Sequence, residues 1–229
     1  MMQQITIAFQ TDKPITAYGS LAAKAEAYGF DGVSVYNDLL YQPAWLPLLE
    51  IARQTNRIRI GPAAVNPFTS HPINIAGNLA LLDAASGSRA YCGFARGAWL
   101  DFLGLNPQKP ISALREAMSC VRHLLRQDKS PFTGDHFQLQ GGDTLRWQEI
   151  RSDIPFLLGS WGQKTIEACL PLAAEIKLGG TANPAAAQFL KSFLKKQAAN
   201  IGVVCGAVTV IDHDGPAARD LARREVALY

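Results

Sequence analysis

Two short loops carry the residue types that grip an anion. Arg96-Gly97 joins a planar cation to a residue without a Cβ, so a phosphate can meet the guanidinium while the backbone comes close. Gly159-Ser160-Trp161-Gly162 opens directly into a helix from Gln163, where amides and the Ser160 hydroxyl can face an anion. A surface arginine in a turn and an ordinary serine cap are the plainer alternatives. Asn37-Asp38 sets an amide beside a carboxylate, able to fix a ring or a substrate hydroxyl and equally at home in a turn. His71, just before Pro72, is either a general acid or base or a helix cap. Residues 61–68, Gly-Pro-Ala-Ala-Val-Asn-Pro-Phe, are stiffened by two prolines and set Ala63, Ala64 and Val65 where crowded or unusual backbone geometry is tolerated. A rigid turn is the bland reading of that segment. Residues 177–184 hold two glycines that permit close approach of a ligand, with Asn183-Pro184 as a helix start. There is no Gly-x-Ser-x-Gly elbow, and the four histidines show no metal spacing. Such a set suits holding a cofactor that supplies the chemistry itself.

Those loops fall between elements that alternate regularly. Strands are expected at 5–10, 32–36, 57–60, 90–94, 154–159, 175–179 and 203–211. Helices are expected at 16–29, 43–55, 72–85, 111–127, 163–174, 184–199 and 214–229. Residues 132–150 read as a hairpin insertion covering one face. Strand-helix alternation with short connections implies a parallel sheet with right-handed crossovers. The first strand runs into Phe-Gln-Thr-Asp-Lys-Pro without a glycine fingerprint, which disfavours a doubly wound dinucleotide fold. The fold expected is α/β, a TIM (β/α)8-type barrel, with functional residues after the C-terminal ends of its strands. Seven strands are counted where such a barrel has eight, so one domain over 1–229, shortened before its eighth strand, is the expectation. Its open edges would need a cover, and a homodimer would supply one.

With 48% hydrophobic and 18% charged residues, the chain can bury a sizeable core. A net charge of +3 without like-charge runs points away from nucleic acid and membrane surfaces, toward a small-molecule substrate. Cys92, Cys120, Cys169 and Cys205 are widely spaced in mostly apolar surroundings, which reads as buried free thiols in a reducing, cytoplasmic compartment. No signal peptide or membrane span is expected.

The ordered set Ile58-Arg-Ile-Gly-Pro-Ala-Ala-Val-Asn-Pro-Phe68, Leu82-Asp-Ala-Ala-Ser-Gly-Ser-Arg-Ala90, Ala95-Arg-Gly-Ala-Trp99, Leu114-Arg-Glu-Ala117 and Gly159-Ser-Trp-Gly162 resembles the bacterial luciferase-like flavin-dependent oxidoreductases. Within them it is most similar to the methylenetetrahydromethanopterin reductase-like branch that uses coenzyme F420. The resemblance spans essentially the whole chain. It implies hydride transfer between F420 and a small organic substrate, with an FMN-dependent monooxygenase or a shortened, inactive flavin-binding barrel as alternatives. It further implies a non-prolyl cis peptide at Ala63–Ala64 against the cofactor ring, phosphate contacts from Arg96 and from residues 159–162, and Asn37-Asp38 near the ring. A homodimer is the family-like expectation.

Overall fold

A parallel strand can bond only as far as its neighbour runs, and this sets the frame of the protein. The structure is a computed structural model that describes residues 3–147 and 150–227. Its strands are β1 (Thr6–Phe9), β2 (Gly32–Val35), β3 (Arg59–Pro62), β4 (Cys92–Phe94), β5 (Phe132–Thr133), β6 (Gln138–Leu139), β7 (Phe156–Gly159), β8 (Glu175–Leu178) and β9 (Gly202–Cys205). The helices are α1 (Ile15–Ala27), α2 (Trp45–Gln54), α3 (Pro72–Ala85), α4 (Pro110–Leu125), α5 (Gln163–Cys169), α6 (Pro184–Lys196) and α7 (Gly215–Val226). β1-β2-β3 and β4-β7-β8-β9 are parallel sheets, joined by bridges from Ile60 to Ala90 and from Val65 to Phe94. Together they form one barrel-type arc of seven parallel strands, and no pairing of β9 with β1 occurs among the described residues.

Boundaries moved where a local partner competed. The strand expected at 57–60 begins at Arg59, because the Glu26 carboxylate takes the amides of Asn56, Arg57 and Ile58. The helix expected over 163–174 stops at Cys169 and tightens into a 3-10 turn, Leu170–Leu172, around Pro171, which has no amide to continue it. The strand expected over 203–211 is four residues long, because β9 pairs with β8 only from Gly202 opposite Glu175 to Cys205 opposite Leu178. The insertion is a minimal antiparallel hairpin of β5 and β6, held from below by buried Glu116, whose carboxylate accepts the amides of Asp135, His136 and Phe137. Gln148 and Glu149, near its expected end, and the last two residues of the expected final helix lie outside the described residues.

The core lies between the arc and its helices. On α4, Leu114, Met118, Val121 and Leu125 recur at helical spacing and are fully buried, beside Phe94 and Phe156, whose rings meet edge to face at 5.0 Å. Cys92, Cys120 and Cys169 are buried free thiols, and burial pushes all three pKa values up. The expectation fails for Cys205, which is exposed at the last position of β9. No described helix is long and apolar enough to cross a membrane.

Candidate functional site

The loop after β4 is aimed by the segment before it. Ser86 ends α3, and Gly87 and Ser88 both take left-handed φ angles of 64° and 65°, turning the chain back toward the sheet. Buried Asp83 receives two nitrogens of Arg151 at 2.7 and 3.0 Å and the amide of Ala90 at 3.2 Å. Arg89 donates to Ala52 O, Thr55 O, Thr55 Oγ1 and Ile58 O, tying the end of α2 to the approach of β3 and β4. What reads in the sequence as a helix stop is an anchor whose polar groups are engaged.

β3 and β4 approach so closely that side chains are excluded between them. A Cβ on Gly61 would lie 2.3 Å from Tyr91 O, and one on Gly93 would lie 2.4 Å from Pro62 O. Beyond β3 the Ala63–Ala64 peptide is cis. The chain then rejoins β4, with Val65 donating to Gly93 O at 2.8 Å and Ala95 donating to Val65 O at 3.0 Å. Asn66, buried next to this pairing, accepts from Phe68 and Thr69 amides at 3.0 Å each. Gly97 packs on Asn66 with φ of 91°, and a Cβ there would stand 2.9 Å from its amide group. Arg96 is exposed, and its guanidinium has no hydrogen bond or ion pair with the described residues. The loops after β3 and β4 are thus one joined unit carrying a free cation.

The loop after β7 offers less to an anion than its sequence suggests. Ser160 N donates to Lys177 O at 3.2 Å, and Gly162 N donates to Ser160 Oγ at 3.1 Å, so neither amide is open as expected. The Ser160 O–H remains able to donate. The Trp161 ring lies on the helix side, lining an apolar cavity of about 100 Å³ with Leu178, Phe189, Leu190 and Phe193. Neighbouring strand residues face opposite ways, so this cavity lies across the sheet from the Lys177 side chain, and Trp161 lines it while staying exposed.

Among the described residues three side-chain contacts cross the concave face between strands, or strand ends, that are not neighbours. Arg59 on β3 makes a bidentate pair with Glu175 on β8 at 3.1 and 3.2 Å. Burial works to lower the Arg59 pKa, and Glu175 outweighs it, so Arg59 stays charged. Tyr91 and Ser34 share a 2.6 Å hydrogen bond, and burial pushes the phenol up to about 12. Nearer the C-terminal mouth, the Lys177 ammonium lies 5.6 Å from the centre of the Tyr36 ring. Burial lowers the Lys177 pKa. A lone lysine in a glycine-rich loop gave no signal for this position, because the parity of β8 has to be known first.

Asn37 and Asp38 sit beside that mouth with bonds of their own. Asn37 Oδ1 accepts the amide of Ala44 at 3.0 Å, which fixes the entry to α2, and Asp38 Oδ2 accepts from Gln10 Nε2 at 3.1 Å. His71 caps α3, its Nδ1 accepting from Ile73 N at 3.2 Å, while its ring meets Phe137 edge to face at 5.5 Å. The structure thus gives His71 a capping and packing role. Among the described residues no cluster of His, Cys, Asp and Glu could hold a metal ion.

A family model described as "Luciferase-like monooxygenase" matches residues 3–229. A 5,10-methylenetetrahydromethanopterin reductase of Methanolobus tindarius is 27% identical over 233 residues, covering 96% of this chain and 69% of that protein. Its counterpart from Methanopyrus kandleri is 32% identical over 170 residues, covering 66% of this chain and 48% of that protein. Among solved structures, a coenzyme F420 dependent tetrahydromethanopterin reductase from Methanopyrus kandleri superposes with a TM-score of 0.83 at 25% identity, covering 98% of this chain and 71% of that one. An F420-dependent secondary alcohol dehydrogenase in complex with an F420-acetone adduct has a TM-score of 0.81 at 17% identity, covering 96% and 74%, and supports the fold alone.

Proposed function

Because the chain belongs to the luciferase-like monooxygenase family, we propose that it is an oxidoreductase transferring a hydride between coenzyme F420 and a small organic substrate. The observation that carries this reading is the similarity over nearly the whole chain to an F420-dependent reductase. The residues at the mouth fit such a group. Arg96 is a cation without a partner, Ser160 retains a hydroxyl proton, and the cis Ala63–Ala64 segment is locked between β3 and β4 by the pairing of Val65. When bound, the deazaflavin supplies the ring carbon that gives or accepts the hydride.

In this reading Arg96 and Gly97 bind the cofactor phosphate, with Gly159, Ser160 and Gly162 as the facing loop. Ala63, Ala64 and Val65 back the ring. Asn37 and Asp38 orient the substrate or the ring edge, their geometry fixed by Ala44 and Gln10. An FMN-dependent monooxygenase is the second reading, favoured by the free guanidinium of Arg96, which suits a terminal phosphate.

The test is Arg96→Ala in the full chain, with F420 binding followed by the change in its fluorescence. A charge-assisted contact contributes about 1.5–3 kcal/mol, so affinity should fall roughly tenfold to a hundredfold. Unchanged affinity would remove Arg96 from the cofactor site.

A further inference from the structure

Lys177 is a charge-bearing group without a charged partner on the concave face. Its neighbours along that face are taken. Below it Arg59 and Glu175 neutralise each other, and Tyr91 is bonded to Ser34. Asp38, near the end of β2, accepts from Gln10. Just past β9, Gly206 packs on the lysine stem, where a Cβ would stand 3.1 Å from Lys177 Cε. The remaining contact is the Tyr36 ring. No hydrogen bond or ion pair links the ammonium to the described residues, and the side chain is only partly buried, so a ligand in the mouth can reach it.

A lysine held in low dielectric without a counter-charge is costly in its protonated form, and an anion brought alongside removes that cost. One compact cation supplies a single unit of charge, which balances a singly charged carboxylate and leaves a phosphate dianion only half compensated. We propose that Lys177, with Tyr36 as the flanking wall, binds a carboxylate of the substrate at the mouth of the arc. This rests on reading the mouth as the active site, and it assigns the substrate class that the reductase reading leaves open. The role is binding and orientation: the ammonium donates to a carboxylate oxygen, and no bond is made or broken at the lysine.

The test uses the full chain with its lysines ¹³C-dimethylated, the Lys177 signal being assigned by its absence in Lys177→Arg. Acetate is the probe, and acetamide is its neutral isostere. The expected result is that acetate shifts the Lys177 signal saturably and raises its pKa by about one unit, a tenfold preference for the protonated amine. Acetamide should do neither, and inorganic phosphate should act more weakly than acetate. In Lys177→Met, acetate affinity measured by calorimetry should fall at least about tenfold. If acetate leaves Lys177 unmoved, if acetamide matches acetate, or if phosphate binds more tightly, the assignment is overturned. Titrating F420 into the same sample separates the two readings. Failure of F420 with acetate still acting on Lys177 removes the cofactor reading alone, and binding of F420 with an inert Lys177 removes the carboxylate site alone.

Discussion

Replacing Gly97 by alanine should strike the joined β3 and β4 loops at two points at once. The backbone there has φ of 91°, a region an L side chain enters at a cost of about 1–2 kcal/mol. The new Cβ would also stand 2.9 Å from Asn66 Cγ and Nδ2. Asn66 is buried and can retreat only by weakening its bonds to the amides of Phe68 and Thr69, each worth about 0.5–1.5 kcal/mol. The expected destabilisation is therefore about 2–4 kcal/mol in urea unfolding. Asn66→Ala should by itself cost about 1–3 kcal/mol, through the two orphaned amides. In the double variant the collision is gone, so Gly97→Ala should add only its backbone cost, leaving a coupling of about 1 kcal/mol or more. The same variants should weaken cofactor binding together, since both disturb the joined loops after β3 and β4. Additive costs within about 0.3 kcal/mol would refute the idea that these loops act as one unit.

Arg151→Met should destabilise by about 3 kcal/mol in urea unfolding, because it strands the buried Asp83 carboxylate, and adding Asp83→Ala should recover part of that loss. Burial works to raise the Glu26 pKa, but the amides of Ile58, Arg57 and Asn56 outweigh it and leave it lowered. Its contribution is thus present above the ordinary glutamate pKa and lost as pH falls through the lower folded value. Glu26→Gln should flatten that part of the acid unfolding curve, and an unchanged acid slope would contradict the assignment. In the native protein a thiol reagent should modify Cys205 promptly, with Cys92, Cys120 and Cys169 reacting only after denaturant is added. Prompt reaction of any of the other three would contradict the packing around α4 and α5.

The alternation of strands and helices was legible because each unit carries its own periodicity and stop signals. Partners distant in sequence were not. Residues 82–90 read as a helix stop, yet their work depends on Arg151, Thr55 and Ala52, which the fold brings alongside. Arg59 and Glu175 meet across the arc although 116 residues separate them. Lys177 was hidden because one residue of register decides whether it faces the mouth or the helices. In the other direction, the loop at 159–162 looked open in sequence, while the structure engages the amides of Ser160 and Gly162. Local chemistry names the candidates, and the register decides which of them face the site.

If the mouth of this arc holds a deazaflavin, parallel titrations of the full chain with F420 and FMN, followed by the fluorescence of each, will separate the two. F420 should bind saturably and more tightly than FMN, with a clear loss in Arg96→Ala. Tighter binding of FMN, or a bright yellow protein as isolated with flavin absorbance, would contradict it and favour the monooxygenase reading.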